Sequence, residues 1–159
     1  MKIYLANGLF SQADYEFNAK VASYIRDNIE DVNLFVPQEQ EINDKNSYAD
    51  SQQIFQLDFD NVKDSDLIIA IVDGVEIDSG VACEIGIARA LNIPIIALYT
   101  DVRRLGASNL KKINALMADT IENQFMYRNL FVVGAVKSNG VVVNSLGELV
   151  SQVLKYKSK

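Results

Sequence analysis

Apolar and polar positions along the chain fall into short continuous runs that alternate with longer amphipathic stretches. "KIYLA" (2–6) reads as a strand. "SQADYEFNAKVASYIRDNI" (11–29) reads as an amphipathic helix, with Ser11 and Asp14 spaced as a capping box. "VNLFVP" (32–37) is a second strand, ended by Pro37. The polar stretch 38–53 reads as a loop that leads into a helix through "IFQLDFDNVKDS" (54–65). "DLIIAIVD" (66–73) is the strongest strand signal, an apolar run of the kind buried on both faces of a parallel sheet. "SGVACEIGIARALN" (79–92) is a helix and "IPIIALY" (93–99) a strand. "SNLKKINALMADTIENQ" (108–124) is helical. "NLFVVGAV" (129–136) and "VVV" (141–143) supply apolar stretches for a last strand. "SLGELVSQVLKY" (145–156) closes the chain as a helix, with Ser145 as N-cap and Glu148 at the capping-box position.

Strands alternating with helices at this spacing predict an α/β fold: a five-stranded, mostly parallel sheet covered on both faces, three layers in all. The 159 residues suit one domain, 1–159, with no repeat or low-complexity segment. Ligands of such sheets bind beyond the carboxyl ends of the strands. Those ends carry Asn7-Gly8, Gln38-Glu39, Asp73-Gly74 and Asp101.

Charge and composition narrow the chemistry. A net charge of −6 argues against nucleic acid or an anionic membrane as partner. No apolar run approaches a membrane span, the N-terminal apolar stretch is too short for a signal peptide, and the single cysteine, Cys83, fits a reducing compartment. A cytoplasmic location is the expectation. The chain has no histidine, which removes His-based triads, most zinc sites and imidazole acid–base chemistry. No G-x-G-x-x-G follows the first strand, there is no Walker A lysine, and "DGVEID" lacks the spacing of a calcium loop. No cofactor and no metal are expected.

What remains is a set of carboxylates. Asp73 ends the buried strand, Asp78 opens the next helix, Glu84 lies inside that helix, and Asp58 and Asp60 come from the helix before. Asp78 has an ordinary reading as a helix N-terminal acid. Asp58 and Asp60 read equally as a polar helix face, Tyr4 as a core tyrosine with a satisfied hydroxyl, and Cys83 as a small core residue. Glu84 is different. The positions three and four away from it are Gly80, Val81, Ile87 and Ala88, and none offers a charge partner. A carboxylate on that face costs several kcal/mol unless something compensates, which marks Glu84 as a functional candidate.

"IYLANGLF", "DLIIAIVDG" and "DSGVACEIGIA", in this order, resemble the nucleoside 2-deoxyribosyltransferases. The resemblance covers most of the chain. It implies a flavodoxin-like fold, an oligomer whose sites borrow residues from a neighbour, and transfer of 2-deoxyribose between nucleobases. It implies Glu84 as nucleophile, Tyr4 as the residue that orients it, Asp58 as a further catalytic acid, and Asp78 as the ligand of the sugar 5′-hydroxyl. Asn7, Gly8, Phe10 and Gly80 are the expected substrate-binding neighbours, with Gly80 and Gly86 permitting close approach to the helix. The Asn lent by a neighbouring subunit falls on Asn129 in "YRNLFVVG", with Asn109 in "ASNLKK" as a rival. Expected partners are deoxynucleosides and free nucleobases. A sister group hydrolyses deoxynucleoside 5′-monophosphates and has Ser where Asp78 stands. That hydrolysis, or a non-catalytic nucleotide-sensing module of the same fold, are the alternatives.

Overall fold

The structure, a computed structural model, describes residues 1–102, 108–118 and 128–158. The strands are β1 (Lys2–Ala6), β2 (Asn33–Phe35), β3 (Leu67–Ile71), β4 (Ile95–Leu98) and β5 (Gly140–Val143). The helices are α1 (Gln12–Asn28), α2 (Ser51–Lys63), α3 (Ser79–Ala90), α4 (Leu110–Ala118), α5 (Leu130–Ser138) and α6 (Leu146–Lys157). The strands form one sheet in the order β2-β1-β3-β4-β5, and every pairing is parallel. This is the flavodoxin-like winding, whose order reverses between β1 and β3.

Side-chain alternation along each strand sorts the core into two layers. Ile3, Leu5, Leu67, Ile69, Ile71, Ile96 and Leu98 pack with α1 and α6. Tyr4, Ala6, Ile68, Ala70, Ile95 and Ala97 face α3 and α5 with Val81, Ile85, Ala88 and Val136. Each large apolar side chain fully buried this way contributes about 1.5–3 kcal/mol. Tyr4 is the largest of them, and it lies on the α3 side.

Helix starts follow the expected caps. Ser11 and Asp14 form a reciprocal capping box on α1. Ser145 Oγ accepts from the Glu148 N–H at 3.2 Å, while the Glu148 carboxylate accepts from Asn144 N–H at 2.8 Å, one residue earlier than a capping box requires. α2 begins at Ser51, inside the stretch expected to be loop, because Asp50 caps it reciprocally with Gln53. Before it, two short 3-10 turns (Pro37–Glu39 and Glu41–Asn43) follow β2.

The main departure lies at "NLFVVGAV", which forms α5 and not strand. Asn129 Oδ1 accepts from the N–H groups of Phe131 and Val132 and starts the helix. Val132, Ala135 and Val136 then recur at helical spacing against the core. β5 is built by the following Gly140–Val143 alone. A Cβ at Gly140 would lie 1.8 Å from the Ile95 carbonyl oxygen, so only glycine lets β5 approach β4 there. Residues 119–124 of the expected helix 108–124 lie outside the described residues.

Candidate active site

The period-2 alternation of β1 sends Tyr4 toward α3, whose middle turn carries Glu84. The Tyr4 hydroxyl donates to Glu84 Oε1 at 2.5 Å, joining two residues 80 positions apart. Phe35, beside Tyr4 in the register of β2, stacks on its ring with centroids 5.3 Å apart and planes at 19°. Asp58, on α2, lies close enough to act electrostatically on both Tyr4 and Glu84. Its Oδ1 is buried without a hydrogen-bond partner. The partner that the sequence of α3 lacks thus comes from the sheet.

Burial pushes the Glu84 carboxyl up to about 8; the Tyr4 hydrogen bond opposes the shift, and the charges of Asp58 and Asp78 add to it. Burial likewise raises Asp58, opposed by its contact with Tyr4. Tyr4 itself is driven far above the range of an ordinary phenol, first by burial and then by Glu84 and Asp58. It therefore stays protonated and acts as a donor.

A cleft of about 220 Å³ opens over Glu84, lined by Asn7, Gly8, Phe10, Asp58, Asp78 and Gly80 among others. It lies beyond the carboxyl end of β1, at the reversal of strand order, where ligands of this architecture bind. Asp78 caps α3: its Oδ1 accepts from Gly80 N–H at 2.9 Å and Val81 N–H at 3.1 Å. A larger groove, about 420 Å³, continues past Asp78 and shares Asn7, Gly8 and Phe10 with the cleft. Eight of the nine expected residues therefore meet in one chain: Tyr4 and Glu84 by hydrogen bond, Asn7, Gly8, Phe10, Asp58, Asp78 and Gly80 along the lining.

Others fall elsewhere. Asn129 does not line the cleft; it caps α5 and is exposed. Asn109 is also exposed and accepts from Lys112 N–H at the start of α4. Asp73 binds the N–H and hydroxyl of Thr100 at 2.7 and 2.5 Å, tying the end of β3 to the end of β4. Asp60 is exposed and accepts from Gln56. Asp101 forms an ion pair with Arg128 at 2.6 Å. Gly86 is two residues from Glu84, hence on the opposite side of α3, where a Cβ meets nothing. Cys83 is exposed and not in the core, because the buried stripe of α3 is Val81, Ile85 and Ala88. Among the described residues no group of three or more Cys, Asp or Glu is placed to hold a metal ion.

Asn43, Pro37 and Ile54 also line the cleft, as do Leu9 and Val81, and none of them stood out in the sequence as a site residue. Pro37 and Asn43 belong to the stretch after β2 that carries no apolar period, and Ile54 lies in the first turn of α2. The strand-end rule pointed at Gln38 in that region without reaching them. It also missed Asn18, a buried polar residue on α1 that carries the amide of Asn7.

Fold and cleft together define a doubly wound α/β protein with its carboxylates gathered at the switch point. Residues 3–148 match the nucleoside 2-deoxyribosyltransferase family model, and the chain belongs to that family. The family comprises N-glycosyl-transferring and -hydrolysing enzymes. Among solved structures, a conserved protein from Enterococcus faecalis V583 is 48% identical, with 97% of each chain covered and a TM-score of 0.87. A 2-deoxyribosyltransferase from Bacillus psychrosaccharolyticus shares the fold at 18% identity, covering 94% of this chain and 90% of that one, with a TM-score of 0.64. The CMP N-glycosidase of Clostridium botulinum shares it at 17% identity, covering 96% and 98%, with a TM-score of 0.53. Among curated proteins none matches the chain.

Proposed function

We propose that this protein transfers 2-deoxyribose between nucleobases by a retaining double displacement through a glycosyl ester on Glu84. The observation that carries the reading is the 2.5 Å hydrogen bond from Tyr4 to Glu84 Oε1 in the switch-point cleft. The hydroxyl fixes one carboxylate oxygen, and the other is left to attack the anomeric carbon. Attack forms the C1′–O bond as the glycosidic C–N bond breaks. The departing base takes a proton on a ring nitrogen, with Asp58 as the nearby acid. A second base then attacks C1′ from the face the first one left. It displaces Glu84, and two inversions give net retention. No imidazole is needed at any step.

Asp78 favours free nucleosides. With Oδ1 committed to the α3 amides, Oδ2 is the acceptor for a 5′-hydroxyl. Among the described residues no Lys or Arg lines the cleft to balance a 5′-phosphate. Completion of the site by Asn129 of a second copy belongs to the same reading. Asn129 is exposed, and beside it Leu130 and Phe131 leave 67% and 90% of their surfaces to solvent.

Incubation of deoxyinosine with adenine, followed by chromatography, tests the proposal. Deoxyadenosine and hypoxanthine are the expected products. Free sugar without deoxyadenosine, or turnover only of deoxynucleoside monophosphates, assigns the protein to the hydrolases. Binding without any turnover assigns it to the sensing modules.

A further inference from the structure

α1 turns Asn18, Val21, Ala22 and Ile25 into the core, the i, i+3, i+4, i+7 spacing of a buried helical stripe. Asn18 is the polar member of that stripe and is only 3% exposed. An amide there costs free energy unless its hydrogen-bonding groups are paired. They are. Asn18 Nδ2 donates one hydrogen to the Gly8 carbonyl at 3.0 Å and the other to Gln38 Oε1 at 2.9 Å. Its Oδ1 accepts from Asn7 Nδ2 at 2.7 Å. Gln38 Nε2 donates in turn to the Tyr15 carbonyl at 3.2 Å. The Gly8 and Tyr15 carbonyls can only accept, so they fix which way the Asn18 and Gln38 amides point.

All three Asn18 bonds join α1 to segments outside the sheet. Asn7 and Gly8 follow β1 and line both the cleft over Glu84 and the larger groove beside it. Gln38 lies in the 3-10 turn Pro37–Glu39 that follows β2. Pro37 of that turn lines the cleft, and its carbonyl accepts from the lining residue Asn43 at 2.9 Å. One buried amide therefore ties together the cleft walls that come from β1 and from β2. Asn18 itself lines neither the cleft nor the groove, so it acts on a ligand only through the residues it holds.

We propose that Asn18 is a positioning residue of the active site: it fixes Asn7 and Gly8 against the Pro37–Glu39 turn, so that the cleft has its binding shape before substrate enters. The inference rests on the transfer reading above and adds a residue that touches no substrate. Walls ordered in advance need not be ordered at the expense of binding, and a small misplacement of a lining residue is enough to slow turnover.

The test is a double-mutant cycle between Asn18 and Asn7. It is read by base exchange from deoxyinosine to adenine and by a binding titration with deoxyinosine, at a temperature where melting curves show each variant folded. Asn18→Leu keeps the size of the side chain and removes all three bonds. It is expected to lower kcat/KM by about 10-fold or more. In an Asn7→Ala background the same change should cost under about 3-fold, because the side chain that Asn18 carries is already gone. Gln38→Ala leaves Asn7 and Gly8 bonded to Asn18 and frees only the turn. It should lower kcat/KM by about 3-fold, and it carries the test if Asn18→Leu does not fold. An unchanged kcat/KM in folded Asn18→Leu, or in Gln38→Ala where the first does not fold, overturns the inference and leaves base transfer standing. An equal loss with and without Asn7 overturns it too, because a merely structural role is additive. If the unaltered protein exchanges no base, the transfer reading fails and the titration decides. A Kd for deoxyinosine that rises in Asn18→Leu, but not in the Asn7→Ala background, sustains the positioning role. A Kd unmoved by Asn18→Leu, or no binding at all, overturns both.

Discussion

Glu84 is held as an acid of about 8 chiefly because α3 buries it, and two consequences with opposite pH directions follow. The proposed role of Glu84 as nucleophile requires it ionised, so kcat/KM is expected to fall on acidification, with a midpoint near 8 in the free enzyme. Tyr4 stabilises the carboxylate. Tyr4→Phe should therefore move this limb to higher pH and lower the plateau by about 10–100-fold, the loss expected for a hydrogen bond to a charged group. A pH–rate profile of the two proteins reads both effects. Stability runs the other way. A carboxyl whose folded pKa is raised favours the fold at low pH and loses that contribution as pH rises from about 4.5 through 8. Glu84→Gln, neutral throughout, should gain stability relative to the unaltered protein over that interval, by a few kcal/mol at pH 9. Thermal melts at pH 5 and 9 measure the difference. An advantage that does not grow with pH contradicts the burial account. Glu84 itself was legible in the sequence because its helical neighbours offer it no partner. Tyr4 read as a core tyrosine by its strand position, and only the resemblance linked the two residues.

α3 shows how one element serves both fold and site. Asp78 starts the helix and lines the cleft, so its ordinary reading and its functional reading are compatible. Asp78→Ser keeps a capping side chain and should cost under about 1 kcal/mol in stability. It should also lower transfer from deoxynucleosides and raise the relative turnover of 5′-monophosphates, because a fixed negative charge is removed. Unchanged selectivity in a steady-state comparison of deoxycytidine with its monophosphate contradicts this role. β5 depends on Gly140, whose missing side chain admits the Ile95 carbonyl. Gly140→Ala should lower stability by about 2 kcal/mol or more, read by urea unfolding. Elements with a clear period or cap were legible: β1, β3, β4, α1 and α6 lie where the pattern puts them. α5 was not, because an apolar run of eight fits a buried strand and a buried helix equally, and the Asn129 cap decides. The cleft wall at Asn43 was illegible for a related reason. Its place depends on two consecutive 3-10 turns, which leave no hydrophobic period.

At the scale of the whole molecule, the winding brings β1, α2 and α3 to one switch point, although Tyr4, Asp58 and Glu84 are far apart in sequence. Asn129 lies outside the cleft of its own chain, so an assembly of at least two copies is expected if Asn129 completes the site of a neighbour. Static light scattering should give a multiple of the 17.7 kDa chain mass. A fully active monomer contradicts it. The intact mass of the chain also carries the most direct test of the central claim, that the sugar becomes bonded to Glu84. In a 2′-deoxy-2′-fluoro nucleoside, fluorine destabilises the oxocarbenium-like transition states of both displacements, and with no acceptor base supplied the ester formed in the first step accumulates. The predicted result is a chain heavier by one fluorinated sugar, with the added mass on Glu84 within "VACEIGIAR" in peptide spectra, and no adduct in Glu84→Ala. An adduct on another residue, or base exchange by Glu84→Ala at near-normal rate, contradicts the account.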